Sequence, residues 1–100
     1  MILKENTTLP RSINVVQHTT GSGANMIAAP GAGKTITLVD IINADASNVL
    51  LLRETGAGGN ILARIPAGAA ISLNAPIETS ANVLVYASGS TAATVTYIVG

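Results

Sequence analysis

The sequence predicts an all-β domain, a sandwich of about eight antiparallel strands, on three observations. Short apolar runs rich in Val, Ile and Thr recur along the chain, each bounded by clusters of Gly, Pro, Asn or Ser, the pattern of strands joined by tight connections. No window carries apolar residues at helical spacing. The chain also repeats itself: Gly21 to Leu38 returns as Gly56 to Leu73, displaced by 35 residues, with Gly21, Gly23, Asn25, Gly33, Ile36 and Leu38 matching Gly56, Gly58, Asn60, Gly68, Ile71 and Leu73. A fainter likeness, Asn48 to Leu51 against Asn82 to Val85, lies at a displacement of 34. Each copy is a strand, a Pro/Gly turn and a second strand.

Taken in order, Met1 to Ser12 shows no periodicity, carries Lys4, Glu5 and Arg11 and ends near Leu9-Pro10; it is expected to be an N-terminal arm, with an edge strand starting near Ile2 as the alternative. The sandwich domain is expected over residues 13–100. Ile13 to Thr19 alternates as a strand, with Thr20 to Gly23 as its turn, and Asn25 to Ala29 is a short strand stopped by Pro30. Lys34 to Asn43 is the longest strand candidate. Ile36 and Leu38 fall on one face and Val39 and Ile41 on the other, so that strand is either buried on both sides or shifted by a bulge.

Asn43 to Asn48 is a turn cluster, Val49 to Glu54 a strand, Thr55 to Gly59 a glycine-rich hairpin tip and Ile61 to Ile65 the returning strand. Pro66 to Gly68 turns the chain into a strand from Ala70 to Asn74, where Pro76, which cannot donate to a central ladder, is expected to break or kink it. Asn82 to Ala87 and Thr94 to Val99 complete the set. Eight strands with a two-fold internal repeat suggest a jelly roll, which is built from two Greek keys; a single-sheet barrel is the alternative.

Composition narrows the function. Of the 100 residues, 48% are hydrophobic and only 10% charged, against about 25% charged in an ordinary soluble domain, so the chain has too few charges to cover itself. Part of its apolar surface is therefore expected to face other subunits. A membrane span is not expected, because no apolar run approaches the roughly 18 residues required, and the start of the chain does not resemble a signal peptide. A net charge of zero lacks the electrostatic footprint of nucleic-acid binding. With no Cys there is no disulfide framework, zinc knuckle or thiol nucleophile. With Tyr86 and Tyr97 as the only aromatic residues, the core must be aliphatic.

Three patterns invite chemical readings. Ala28 to Thr35 nearly spells the phosphate-binding loop G-x-x-x-x-G-K-[ST], but that loop needs a helix to begin at the Lys-Thr, and here a β-branched run follows. The repeat also puts Ala69 and Ala70 where Lys34 and Thr35 stand, as a strand-joining turn would allow. His18 is the sole histidine, and no nucleophile elbow G-x-S-x-G accompanies it. Asn43, Asp45 and Asn48 offer oxygens in one turn but fall short of the six to eight that calcium takes. No catalytic, cofactor or metal site is expected, and the protein is expected not to be an enzyme. The two tyrosines leave open a glycan- or receptor-binding module. Arg53, Glu54 and Arg64 flank the glycine-rich tip, where they could pair, and Glu78 is the only charge beyond Arg64, which places a subunit interface in the final third: Ile71, Leu73, Ile77, Tyr86 and Tyr97.

The strand entry Pro30-Gly31-Ala32-Gly33-Lys34-Thr35-Ile36-Thr37-Leu38 and the closing Val95-Thr96-Tyr97-Ile98-Val99, in a short cysteine-free chain with an N-terminal arm, resemble the small β-sandwich virion proteins of tailed bacteriophages. These include head decoration (cement) proteins and the base domains of head fibres. The resemblance covers residues 13–100 and implies a jelly-roll-like, commonly trimeric subunit, made in the host cytoplasm, that sits on the major capsid protein and stabilises the shell. No catalytic residue is carried over. On this expectation Lys4, Leu9 and Arg11 of the arm contact the capsid.

Overall fold

The computed structural model describes residues 13–100. They form eight strands and no helix: β1 (Ile13–His18), β2 (Ala24–Ile27), β3 (Ile36–Asn43), β4 (Leu50–Glu54), β5 (Ile61–Ile65), β6 (Ala70–Glu78), β7 (Val85–Ser88) and β8 (Ala93–Val99). The arm assigned to residues 1–12, with Lys4, Leu9 and Arg11, lies outside the described residues.

Two four-stranded sheets result, in the orders β1-β8-β3-β6 and β2-β7-β4-β5, and every pairing is antiparallel. Successive strands mostly alternate between the sheets, which is the double Greek key of a jelly roll and not a single-sheet barrel. The repeat coincides with this topology. It carries β2, β3 and β4 onto β5, β6 and β7, and that exchange maps the order β2-β7-β4-β5 onto its own reverse. The turns match atom for atom: the Lys34 amide donates to Gly31 O at 3.1 Å and the Ala69 amide to Pro66 O at 3.2 Å. Gly33 and Gly68, third in each turn, have φ of 77° and 71°, the left-handed conformation that glycine adopts without steric cost.

The layers meet in an aliphatic core. Ile36, Leu38, Ile41, Ala93 and Val95 come from the first sheet, and Ile27, Leu50, Leu52, Ile65, Val85 and Ala87 from the second. The two-sided pattern of β3 is resolved by a bulge. Leu38 pairs with Tyr97 and Asp40 with Thr96, so Val39 is extra and the buried face passes from Ile36 and Leu38 to Ile41 and Asn43.

Two elements depart from expectation. Strand β6 does not end before Pro76 but continues to Glu78. It lies at the edge of its sheet, and its register against β3 jumps from Ser72–Asp40 to Ile77–Leu38, so four residues, 73–76, stand opposite Val39 alone. A proline at an edge and inside a bulge removes no ladder hydrogen bond. Strand β7 begins at Val85 rather than Asn82, because Asn82 is itself left-handed (φ 53°) and ends a turn, its amide donating to Lys34 O at 2.8 Å.

Candidate functional site

The near-match to a phosphate loop is filled by the protein's own groups. Gly31 N donates to Asn82 Oδ1 at 3.0 Å, Thr35 N to Gly100 O at 3.2 Å and Ile36 N to Thr79 Oγ1 at 3.1 Å. The Thr35 hydroxyl donates to Glu78 Oε2 at 2.6 Å. A phosphate cradle needs convergent free amides at a helix start; here the Gly31, Lys34 and Thr35 amides are engaged and a strand follows.

The Asx-rich turn is likewise a structural knot. Asp45 Oδ1 accepts the Ser47 and Asn48 amides at 2.9 and 3.1 Å, while Oδ2 accepts Asn48 Nδ2 at 3.1 Å and both the amide and the hydroxyl of Thr91 at 2.9 Å. Five donors on one carboxylate leave it no lone pair for calcium, and among the described residues no group of three His, Cys, Asp or Glu side chains is placed to hold a metal. These bonds, the Ser47 amide foremost, hold the Asp45 carboxyl well below the usual carboxylate range. At the other end of the molecule Glu54 accepts Ser80 N at 2.9 Å and Ser80 Oγ at 3.2 Å, and the Ser80 amide chiefly lowers its carboxyl too, against the opposing effect of burial. Glu54 does not pair with Arg64 across the hairpin; the Arg53 Nη1 donates to Gly59 O at 3.2 Å.

Both carboxylates are thus more acidic folded than unfolded. Their stabilisation is fully present above the ordinary carboxylate value of about 4 and is lost as pH falls below it toward the folded values. The urea midpoint is expected to hold between pH 7 and 5 and to fall at pH 3. Asp45→Asn, which turns an amide NH₂ toward the donors of Thr91 or Asn48, is expected to lower the midpoint at pH 7 and to flatten its acid dependence; an acid limb unchanged in that variant would exclude Asp45 as its source.

His18 is buried, its Nε2 has no partner among the described residues, and it lines a concavity of about 180 Å³ with Gln17, Thr19, Ala44, Ala92, Ala93 and Thr94. No nucleophile and carboxylate are arrayed on it. Tyr86 and Tyr97 do not form one platform: Tyr97 lies opposite Leu38 and packs on the core of the first sheet, whereas Tyr86 lies outward on the second sheet between Asn25 and Arg53. Ile71, Leu73 and Ile77 also pack on the core, half-buried. Four of the five residues expected at a subunit interface therefore spend their apolar surface largely inside, and only Tyr86 stands on an outer face.

The exposed apolar surface lies elsewhere. On the outer face of the first sheet Ile13 and Val15 are 58% and 63% exposed, Ile13 is paired with Ile98, and Ile42 is 46% exposed on β3. Around them are Gln17, Thr37, Thr94, Thr96, Ala70 and Ser72, and among the described residues the only charges are Asp40 and Glu78. The outer face of the second sheet has Leu51, Ile61 and Tyr86 with Asn25 and Ser88, and its only charges among the described residues are Arg53 and Arg64. Sequence reasoning missed this partition. Lone apolar side chains on a surface are ordinary, whereas contiguous apolar patches are the kind of surface that proteins use for contact. Comparison with protein-family models, with characterised proteins and with solved structures finds no match to this chain.

Proposed function

We propose that the protein is a non-enzymatic structural component of a tailed-bacteriophage virion, a decoration or cement protein that binds the capsid surface and stabilises the shell as a homo-oligomer, a trimer. The observation that carries this reading is the outer face of the first sheet, where Ile13 and Val15 stand more than half exposed among threonines, with two acids as its only charges among the described residues. Four polar side chains, Asp45, Glu54, Thr35 and Glu78, are hydrogen-bonded within the fold. Such a subunit works by mass action. Binding the assembled lattice and not its free parts shifts the equilibrium toward the shell by RT ln(1 + [L]/Kd), about 2.7 kcal/mol when the free protein is at a hundredfold its Kd.

The test uses shells of the phage that encodes the chain, prepared without it. Adding the purified protein should give saturable co-sedimentation at a ratio fixed by the lattice and raise the temperature at which the shells disrupt. Absence of both would overturn the proposal. Removing Met1 to Ser12 is expected to abolish attachment and leave the sandwich folded, and unchanged occupancy would take the arm out of the contact. The alternative, a glycan- or receptor-binding module, draws on the outward position of Tyr86 beside Asn25 and Arg53. It predicts saturable sugar binding that Tyr86→Ala abolishes.

A further inference from the structure

Among the described residues, the five charged side chains outside the two carboxylate knots are sorted by sign. Asp40 and Glu78 lie on the outer face of the first sheet, Arg53 and Arg64 on that of the second, and Lys34 in the β2–β3 turn. Each pair sits on adjacent strands. Glu78 is level with Thr37, near Asp40 on β3, and Arg64 is level with Leu51, two residues from Arg53 on β4. With strands about 4.8 Å apart and a rise of about 3.4 Å per residue, each pair is separated diagonally by about 8 to 11 Å. The two faces thus carry charge pairs of opposite sign at similar spacing, each set among apolar side chains: Ile13, Val15 and Ile42 on one, Leu51, Ile61 and Tyr86 on the other.

We infer that these two faces are each other's partners: the outer face of the first sheet docks on the outer face of the second sheet of another copy of this chain. The charges decide between the possible arrangements. An isologous contact, in which either face meets itself, offers the two carboxylates or the two arginines no opposite charge, and charges covered without a counter-charge are costly. The head-to-tail contact sets carboxylates against guanidiniums and covers both apolar patches at once. Four strands span about 19 Å, and the shorter strands of the second sheet run about 16 Å, a footprint of roughly 300 Å² on each copy, so the contact is smaller than a standard specific interface and is a weak, transient one. Because the two outer faces lie on opposite sides of the sandwich, the contact repeats as an open head-to-tail stack and not as a closed ring. It rests on the self-association in the proposed function, sets a stack in place of the trimer, and does not depend on what the copies sit on.

The experiment is sedimentation velocity over a concentration series at low salt. The wild-type chain should associate, and raising the salt should weaken it. Asp40→Arg with Glu78→Arg makes both faces basic, and Arg53→Glu with Arg64→Glu makes both acidic, so each double variant alone should associate at least tenfold more weakly. Mixed in equal amounts they restore opposite signs at every contact, and association should return in the mixture. Val15→Ser, at the most exposed large apolar position, should weaken association without changing any charge, and far-UV circular dichroism on every variant separates misfolding from a weakened interface. A wild-type chain that stays monomeric at high concentration would sink the self-association itself. An oligomer that both double variants leave intact, or no recovery on mixing, would overturn this interface alone.

Discussion

Asn43→Ala is expected to cost about 3 to 4 kcal/mol in unfolding free energy, a large share of the 5–15 kcal/mol that holds a domain together. Asn43 ends β3, is fully buried, and lies where three connections converge. Its Nδ2 donates to the carbonyls of Asn48, Ile65 and Pro66 at 2.8, 3.2 and 3.1 Å, and its Oδ1 accepts the Asp45 amide at 3.2 Å. Alanine leaves a buried amide and several carbonyls with no partner, each at roughly 1–3 kcal/mol before water relieves the outer ones. Asn43→Asp is expected to be no milder at neutral pH, because a carboxylate there faces carbonyl oxygens. Asn48→Ala, which loses only the bond from Nδ2 to Asp45 at the protein's rim, is expected to cost about 1 kcal/mol or less. Equilibrium urea unfolding of the three variants checks the order, and an Asn43→Ala loss no larger than that of Asn48→Ala would show that the buried amide does not organise this end of the sandwich.

Leu52→Ala is expected to cost about 4 to 5 kcal/mol, the upper part of the range for a buried leucine. Leu52 is fully buried on β4, between Ala63 on one neighbouring strand and Ala87 on the other. With alanine on both sides, neither cross-strand neighbour can swing into the vacated space, and the cavity persists. Leu50, also fully buried but paired with Ile65, has a larger neighbour that can lean in, so Leu50→Ala should cost less. Urea midpoints at constant m-value give both numbers. A smaller loss at Leu52 than at Leu50 would mean that the sheets close over the gap.

Much of this fold was legible because its strands obey local rules. Alternation and turn residues placed all eight strands, Ile61–Ile65 to the residue, and the repeat identified the Gly31–Lys34 stretch as a turn before its lysine and threonine could suggest a phosphate site. The surface was less legible, and the reason is parity. A strand's inward set is fixed only when its register is known, and here bulges at Val39 in β3 and Leu62 in β5 reset it mid-strand. Without those two residues placed, Asp40 and Arg64 cannot be assigned to outer faces, and the separation of acids from arginines stays invisible. Tyr97, Ile71, Leu73 and Ile77 were expected at an interface for want of nearby charge, but a charge-poor stretch describes a core strand equally well. The role of Asn43 was hidden too, since its partners at Ile65 and Pro66 are 22 and 23 residues away and meet it only through the sheet order.

The bulged edge of β6 bears on how such a chain avoids pairing edge to edge. A sheet's free edge is a template on which another strand can add, and a chain with this little charge has few other defences against growing laterally into fibrils. Residues 73–76 bow away from the ladder and Pro76 offers no N–H, so this edge cannot present the straight, evenly spaced row of donors and acceptors that an incoming strand needs. Crowded copies can then meet through the faces of their sheets without their sheets merging.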